Sequence, residues 1–335
     1  MKNNVVEKTS VNNKIESPTP LQGRPIDLKG LEKSRFSLSS FVERHIAYFL
    51  IAPTMLGIAV VNVYPLLDTV RLSFTNRLLS RPEDETRFIG LENYTSILTN
   101  PGVWNAFKVS LIFTSVSVGL SFIIGFGLAL LLNRPLPGRA ILRSIFIIPW
   151  AVPAFVAALT WSWMFNDQFG IFASLLKDFG INRPPIWLGA DLALFSLTVV
   201  MIWKSFPFQI IVLLAGLQAI PGDLYEAAEV DGAIAHQKFR YITLPLIKPV
   251  AMISVLLAAI NAFNFFTIPW ILTRGGPGET TAVLPIYTYT IGFVGGDFGF
   301  AATMAVIMFM FILLAGSVYL WQYLREVDAT GAQRI

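Results

Sequence analysis

Six long apolar stretches constrain this chain more than any other feature of its sequence. An α-helix crosses the hydrocarbon core of a bilayer in about 20 residues, and in lipid it satisfies its own backbone hydrogen bonds. Each stretch is long enough for one crossing, and only the fourth contains a charged residue, Lys204. The sequence therefore predicts an all-α polytopic membrane protein with six transmembrane helices, over residues 46–67, 109–132, 144–165, 192–220, 250–272 and 300–324.

The rest of the composition excludes several classes of protein. Charged residues make up 14% of the chain, against about 25% in soluble domains. There is no cysteine, and two histidines, His45 and His236, cannot build a histidine-based metal site. The spans contain no His, Asp or Glu, so an intramembrane enzyme would lack its acids, bases and metal ligands. We therefore predict no catalytic residue and no metal site. We also predict no nucleic-acid binding, because the positive charge is divided among short loops.

The distribution of lysine and arginine orients the predicted spans. With a cytoplasmic N-terminus, the inner segments hold 16 of the 25 basic residues and the outer loops hold 8. Cytoplasmic segments of membrane proteins are enriched in these residues. We therefore expect both termini in the cytoplasm, with a disordered tail over residues 1–44 and a short tail over 325–335. The charged loop 221–249 then faces the cytoplasm.

That loop carries local signals for an exposed helical segment between two spans. Asp223 is a favourable N-cap, and Glu226 lies three residues later, as in a capping box, so a helix is expected to start at Leu224. Gly232 can end this helix because glycine adopts the left-handed conformation without a Cβ clash. Pro245 is expected to stop a second short helical piece before the next apolar run.

The spacing within the loop resembles the EAA loop, which marks the permease subunits of bacterial binding-protein-dependent ABC importers. An ordinary amphipathic surface helix would explain the helix but not the spacing. The resemblance implies the type-1 transmembrane fold of ABC importers, with a permease domain over 106–324 preceded by a first helix and periplasmic loop over 45–105. The matching positions are Glu226, Ala227, Ala228, Gly232, Ile242, Leu244 and Pro245.

The resemblance also implies partners and residue roles. Two copies of a cytoplasmic ATPase would use ATP and Mg, a periplasmic binding protein would deliver the solute, and a second permease would complete the pathway in the bacterial inner membrane. This chain contains no Walker motif and is expected to bind no cofactor itself. The expected ATPase-coupling residues are Glu226, Ala227, Ala228, Asp231, Gly232, Leu244 and Pro245.

Further segments resemble the sugar-importing branch of the same family, typified by maltose and glycerol-phosphate systems. They are Tyr64-Pro65 with Leu72-Ser73-Phe74, the loop segment 88–94, and Gly275-Gly276-Pro277. The branch implies a carbohydrate solute, which includes sugars, oligosaccharides, polyols and sugar derivatives. A non-carbohydrate solute is the alternative. A passive channel or secondary carrier is a weaker alternative, since it leaves the EAA loop unexplained.

Polar residues within the spans on either side of the loop are candidates for the solute path. Lys204 is a functional candidate as an ionisable residue within a span. Alternatively, it pairs with carbonyls loosened by Pro207, or lines a water-filled cavity without touching the substrate. The amides of Asn261 and Asn264 share a helix face and either line the path or join helices as hydrogen-bonded packing. The predicted substrate-pathway residues are Lys204, Ser205, Phe208, Asn261, Asn264 and Phe265.

Overall fold

The computed structural model describes residues 38–329 except residue 82. In this part of the chain there are fourteen α-helices and no strand, only two isolated β-bridges. The helices are α1 (Leu38–Ile58), α2 (Tyr64–Ser73), α3 (Glu92–Thr99), α4 (Pro101–Leu132), α5 (Arg139–Ala151), α6 (Ala154–Met164), α7 (Ile171–Asp178), α8 (Ala193–Gln218), α9 (Gly222–Val230), α10 (Ala235–Lys238), α11 (Leu244–Phe263), α12 (Thr267–Leu272), α13 (Leu284–Tyr289) and α14 (Phe298–Ala329).

The chain divides into two compact units between Val60 and Val61. Of the first unit, the structure describes α1 and the residues that follow it to Val60. The predicted disordered tail lies largely outside the described residues, and α1 begins within its last seven positions. All sites described below lie in the second unit.

The prediction of an all-α membrane fold is confirmed. Five helical stretches are long and apolar enough to cross a membrane, and the pair α5 and α6, bent by 92° at its break, is the candidate for the sixth span. The five stretches are Leu50–Ser73, Pro101–Leu132, Ala193–Gln218, Ala235–Leu272 and Phe298–Arg325. The first extends beyond the predicted residue 67, so Asp68 lies within a helix and pairs with Arg71 at 2.9 Å.

Two prolines, Pro65 and Pro245, lie in the first turns of α2 and α11, each just after a short π-helical segment. The segment Phe239–Thr243 ends two residues before Pro245, and Ala59–Val63 ends two residues before Pro65. A π turn widens the helix locally, which relieves the proline ring and its missing N–H group. Pro245 therefore lies in the first turn of α11 and does not stop the helix, so the predicted stop at Pro245 is wrong.

Close contact between α4 and α8 organises the centre of the second unit. Four small residues at four-residue spacing, Ser117, Ser121, Gly125 and Ala129, form a buried stripe on α4. A Cβ added to Gly125 would lie 2.4 Å from the Gln209 Cβ on α8 and 3.0 Å from a backbone oxygen. Small residues let membrane helices approach closely, so this stripe fixes the position of α8.

Two of the segments that resemble the sugar branch, Leu72-Ser73-Phe74 and 88–94, contact each other. Asn93 Nδ2 donates to the carbonyls of Ser73 and Thr75 at 3.0 and 2.9 Å, and the hydroxyls of Tyr94 and Ser73 are 2.8 Å apart. Thr303 on α14 donates to the Ser73 carbonyl at 2.9 Å. These contacts join the end of α2 to α3 and to α14.

Candidate functional site

A cavity of about 400 Å³ lies between α5, α8 and α11. Its volume falls within the range of about 300–1,000 Å³ that is typical of small-molecule sites. It combines a hydroxyl, an amide, an ammonium group and three aromatic rings in an otherwise apolar wall. The lining residues are Trp150, Met201, Lys204, Ser205, Phe208, Leu257, Ala258, Asn261 and Phe265.

Five of the six predicted substrate-pathway residues therefore line one cavity, although they come from two separate parts of the sequence, 204–208 and 261–265. The sixth, Asn264, is not among the lining residues. It is the C-cap of α11, and its side chain donates to the Ile260 carbonyl at 3.1 Å. The backbone N–H of Asn264 also donates to the Ile260 carbonyl, at 3.3 Å, so the side-chain amide folds back on its own helix.

Lys204 contacts the sharp break between α5 and α6. Pro153 has no N–H group, so the carbonyl of Pro149, four residues earlier, loses its helical donor. Lys204 Nζ donates to that carbonyl at 3.0 Å, to the Trp150 carbonyl at 3.0 Å, and to the Val152 carbonyl. The prediction that Lys204 pairs with loosened carbonyls is thus partly correct, but Pro153 on the neighbouring span loosens them, not Pro207.

These contacts determine what Lys204 can offer to a solute. A lysine ammonium has three N–H donors and no acceptor. All three donors are directed to backbone carbonyls, so Lys204 contributes positive charge to the cavity wall but no free hydrogen bond. The hydrogen-bonding groups that the wall can offer to a solute are the Ser205 hydroxyl, the Asn261 amide and the indole N–H of Trp150.

The loop between α8 and α11 differs at its start from the predicted capping box. Helix α9 begins at Gly222 with Pro221 as its N-cap, and no side chain caps it. The predicted capping box and the predicted start at Leu224 are therefore wrong. Asp223 lies in the first turn, where a carboxylate is still favourable beside the positive end of the helix dipole.

The predicted end of α9 at Gly232 agrees with the structure. Gly232 has φ +77°, its N–H donates to the Glu229 carbonyl at 3.0 Å, and the Ala233 N–H donates to the Ala228 carbonyl at 2.8 Å. These two bonds form a Schellman motif, which satisfies the last carbonyls of the helix. A Cβ at Gly232 would meet no atom of the described residues within 4 Å, so the glycine serves the backbone conformation or an external surface.

The remaining predicted coupling residues lie on the exposed face of this loop or at its junction with α11. Glu226, Ala227 and Asp231 are exposed, Ala228 is partly buried, and Leu244 and Pro245 are exposed in the first turn of α11. Exposed apolar side chains surround them, with Val230 89%, Tyr241 71% and Ile234 65% exposed. Sequence reasoning had not identified these apolar residues.

Two side-chain contacts hold the loop together. Lys238 Nζ lies 2.6 Å from Glu229 Oε1, and the hydroxyls of Tyr225 and Thr243 are 3.0 Å apart. The hydrogen bond from Lys238, together with its charge, lowers the pKa of the Glu229 carboxyl below its ordinary value. The contacts join α9 to α10 and to the π-helical start of α11.

Up to six candidate spans, a cavity of small-molecule size and an exposed helical loop are features that fit a membrane transport subunit. The family described as binding-protein-dependent transport system inner membrane component matches residues 121–325, and the chain belongs to this family. Members of the family are multi-pass inner-membrane transport components and not enzymes. The family predicted from the EAA spacing is confirmed.

Known relatives match nearly the whole chain. The trehalose/maltose transport system permease protein MalF of Thermococcus litoralis is 37% identical over 291 residues, covering 87% of this chain and 97% of that protein. The sulfoquinovosyl glycerol transport system permease protein SmoG of Agrobacterium fabrum is 35% identical, covering 83% and 90%. The trehalose transport system permease protein SugA of Mycobacterium tuberculosis is 33% identical, covering 84% and 90%.

A solved structure shares the fold. A bacterial ABC transporter involved in the import of the acidic polysaccharide alginate superposes with a TM-score of 0.72 and 22% sequence identity. The alignment covers 84% of this chain and 98% of that chain. The type-1 importer fold predicted from the sequence is therefore confirmed.

Proposed function

We propose that this chain is a permease subunit of an ATP-driven carbohydrate importer and forms half of its solute pathway. The observation that carries the proposal is the cavity between α5, α8 and α11. Sugars need hydrogen-bond donors and acceptors for their hydroxyls and flat apolar surfaces for their ring faces. Ser205 and Asn261 supply the first, and Phe208, Phe265 and Trp150 supply the second.

The relatives support the same class of solute. Two of those described above are named for trehalose transport and one for sulfoquinovosyl glycerol transport. A non-carbohydrate solute is the alternative, and uptake of carbohydrates and of other solutes by the assembled transporter distinguishes the two.

The loop 221–249 supports coupling to a partner ATPase. It presents a short acidic helix, a left-handed turn at Gly232 with open space around it, and exposed Val230, Ile234 and Tyr241. Exposed apolar residues rimmed by charge are typical of protein interaction sites. We infer that two ATPase copies dock at this loop and at its counterpart on a second permease, and that a periplasmic binding protein delivers the solute from the opposite side.

Solute uptake by the assembled transporter tests the assignment of the cavity. Asn261→Leu and Ser205→Ala should each reduce uptake of the transported sugar, because a hydroxyl of the solute is left without a partner at a cost of about 1–3 kcal/mol. Thr198→Val is the matched control, since its hydroxyl on the same helix bonds only the Leu194 carbonyl and does not line the cavity. Normal uptake by Asn261→Leu and Ser205→Ala would contradict the assignment.

Labelling with an impermeant thiol reagent tests the orientation, because the native chain contains no cysteine. Glu85→Cys should react from outside intact cells, and Gln237→Cys only after the inner face is opened; both positions are exposed. The reversed pattern would place the loop outside the cell and would refute ATPase coupling.

A further inference from the structure

The side chain of Arg143 on α5 has unmet hydrogen-bonding capacity. Its Nε and Nη2 atoms are buried and find no acceptor among the residues that the structure describes. A guanidinium is always charged in proteins, and an unpaired charge within a membrane-spanning element is costly. An anionic partner from outside this part of the chain would satisfy both atoms.

Arg143 lines a second cavity, of about 240 Å³, between α5 and α8. Gln218 is the other polar residue of its lining, and Ile147, Ile211, Leu214 and Ala215 belong to its apolar wall. Both polar residues lie at the helix ends next to the loops 133–138 and 219–221, whereas the apolar residues lie further along each helix. The cavity thus has a polar end on the side of the 221–249 loop and an apolar interior.

The surroundings favour one class of occupant. The segment 133–143 contains three arginines and no acidic residue, so it supplies no internal counter-ion. On the outer side of α5, Ile141, Ile145 and Ile148 are 67%, 51% and 54% exposed and form an apolar ridge. A carboxylate from a partner subunit would satisfy the arginine but would leave the apolar interior unfilled, whereas an anionic phospholipid would match both parts.

We propose that this cavity binds one anionic phospholipid, with its phosphate on Arg143 and one acyl chain against Ile147, Ile211 and Leu214. The lipid would join α5 to α8 on the side of the 221–249 loop. Helix α5 ends at the break between α5 and α6, where Lys204 bonds the backbone carbonyls. A bound lipid would therefore stabilise the position of α5 in the wall of the proposed solute cavity. Transport is therefore expected to depend on anionic lipid through this residue.

Lipid binding to the purified, delipidated transporter tests the proposal. Native mass spectrometry is used to titrate the whole complex with phosphatidylglycerol, and phosphatidylcholine with the same acyl chains serves as the neutral comparison. The wild-type complex should retain one phosphatidylglycerol per copy of this chain. Arg143→Gln should weaken that binding by about tenfold, because a charge-assisted contact to phosphate is lost. Arg139→Gln, an exposed arginine one turn earlier that does not line the cavity, should bind as the wild type does.

Additional variants keep the test informative if Arg143→Gln assembles poorly. Arg143→Lys preserves the charge and should retain binding, while Ala215→Phe fills the apolar part and should weaken binding with the arginine intact. Displacement of the lipid by inorganic phosphate would show a simple anion site and overturn the proposal. It would be equally overturned if Arg143→Gln lost the partner permease but kept its lipid, since a partner carboxylate would then be the counter-ion.

Discussion

Replacement of Lys204 by methionine provides the sharpest test of the site's geometry. The substitution keeps the length and most of the apolar stem of the side chain but removes all three hydrogen bonds to the α5–α6 break. Two of the three carbonyls, those of Pro149 and Val152, are partly buried, and that of Trp150 is exposed. An unsatisfied buried acceptor costs about 1–3 kcal/mol. Water can reach the Trp150 carbonyl, so we expect a loss of about 2–4 kcal/mol from the other two.

The expected consequence is a looser break. Spin labels on cysteines at Ile145 and Leu159, both exposed and on opposite sides of the break, report the bend as a distance distribution. Lys204→Met should broaden this distribution, lower the melting temperature of the solubilised complex, and reduce uptake. Ser205→Ala, at the neighbouring lining position, should reduce uptake while leaving the distance unchanged.

The Lys204→Met variant distinguishes a structural role of Lys204 at the break from contact with the solute. If Lys204→Met lost uptake but retained the wild-type distance distribution and melting temperature, Lys204 would act on the solute and not on the break. Lys204→Arg adds a second measure. The planar guanidinium cannot direct three donors to converging carbonyls as an ammonium can, so this variant should fall between wild type and methionine.

Three other predictions concern packing, the turn and the loop. Gly125→Ala should destabilise the folded subunit by about 1–3 kcal/mol through overpacking against α8. Gly127→Ala on the same helix is the control, since its Cβ would meet no described atom within 4 Å. Melting curves of the two variants test the difference. Gly232→Arg should release the ATPase during co-purification. Gly232→Asn should retain it, because asparagine tolerates the left-handed conformation. Retention of the ATPase by both variants would contradict docking at this turn. Lys238 lowers the pKa of Glu229, so their contact should stabilise the loop fully above the ordinary carboxyl pKa. This stabilisation should be lost as the pH falls through the lowered pKa. Glu229→Gln should therefore increase hydrogen exchange over 235–243 at pH 7, and an unchanged rate would refute the contribution of the pair.

The spans and the turn at Gly232 could be predicted because the signals for them are local. Length and apolarity determine a membrane span, and a left-handed residue after a helix requires glycine whatever surrounds it. The capping box was also inferred from local spacing, but Pro221 fixes an extended entry and starts the helix at Gly222, which displaces Asp223 from the cap. A local rule fails where an adjacent residue offers the backbone another solution.

The contacts of Lys204 could not be predicted because they join positions about 50 residues apart. The sequence showed a lysine within a span and two prolines in the preceding span, but not that folding brings them together. Asn264 shows the complementary limit, since its spacing from Asn261 did not reveal that its side chain bonds the Ile260 carbonyl of its own helix. The stripe of small residues on α4, with its four-residue spacing, was visible in the sequence and could have predicted the contact with α8.

The path of the chain through Pro245 bears on how the two sites communicate. Because the helix does not stop there, α11 extends from Leu244, in the proposed coupling loop, past Pro249 to Asn261, in the wall of the proposed solute cavity. Leu244 and Asn261 are 17 positions apart, or about 25 Å along an α-helix. The Tyr225–Thr243 contact fixes α9 to the start of that helix. If an ATPase moves the loop, a continuous helix transmits the motion as a displacement of Asn261, with no flexible joint at Pro245 to absorb it.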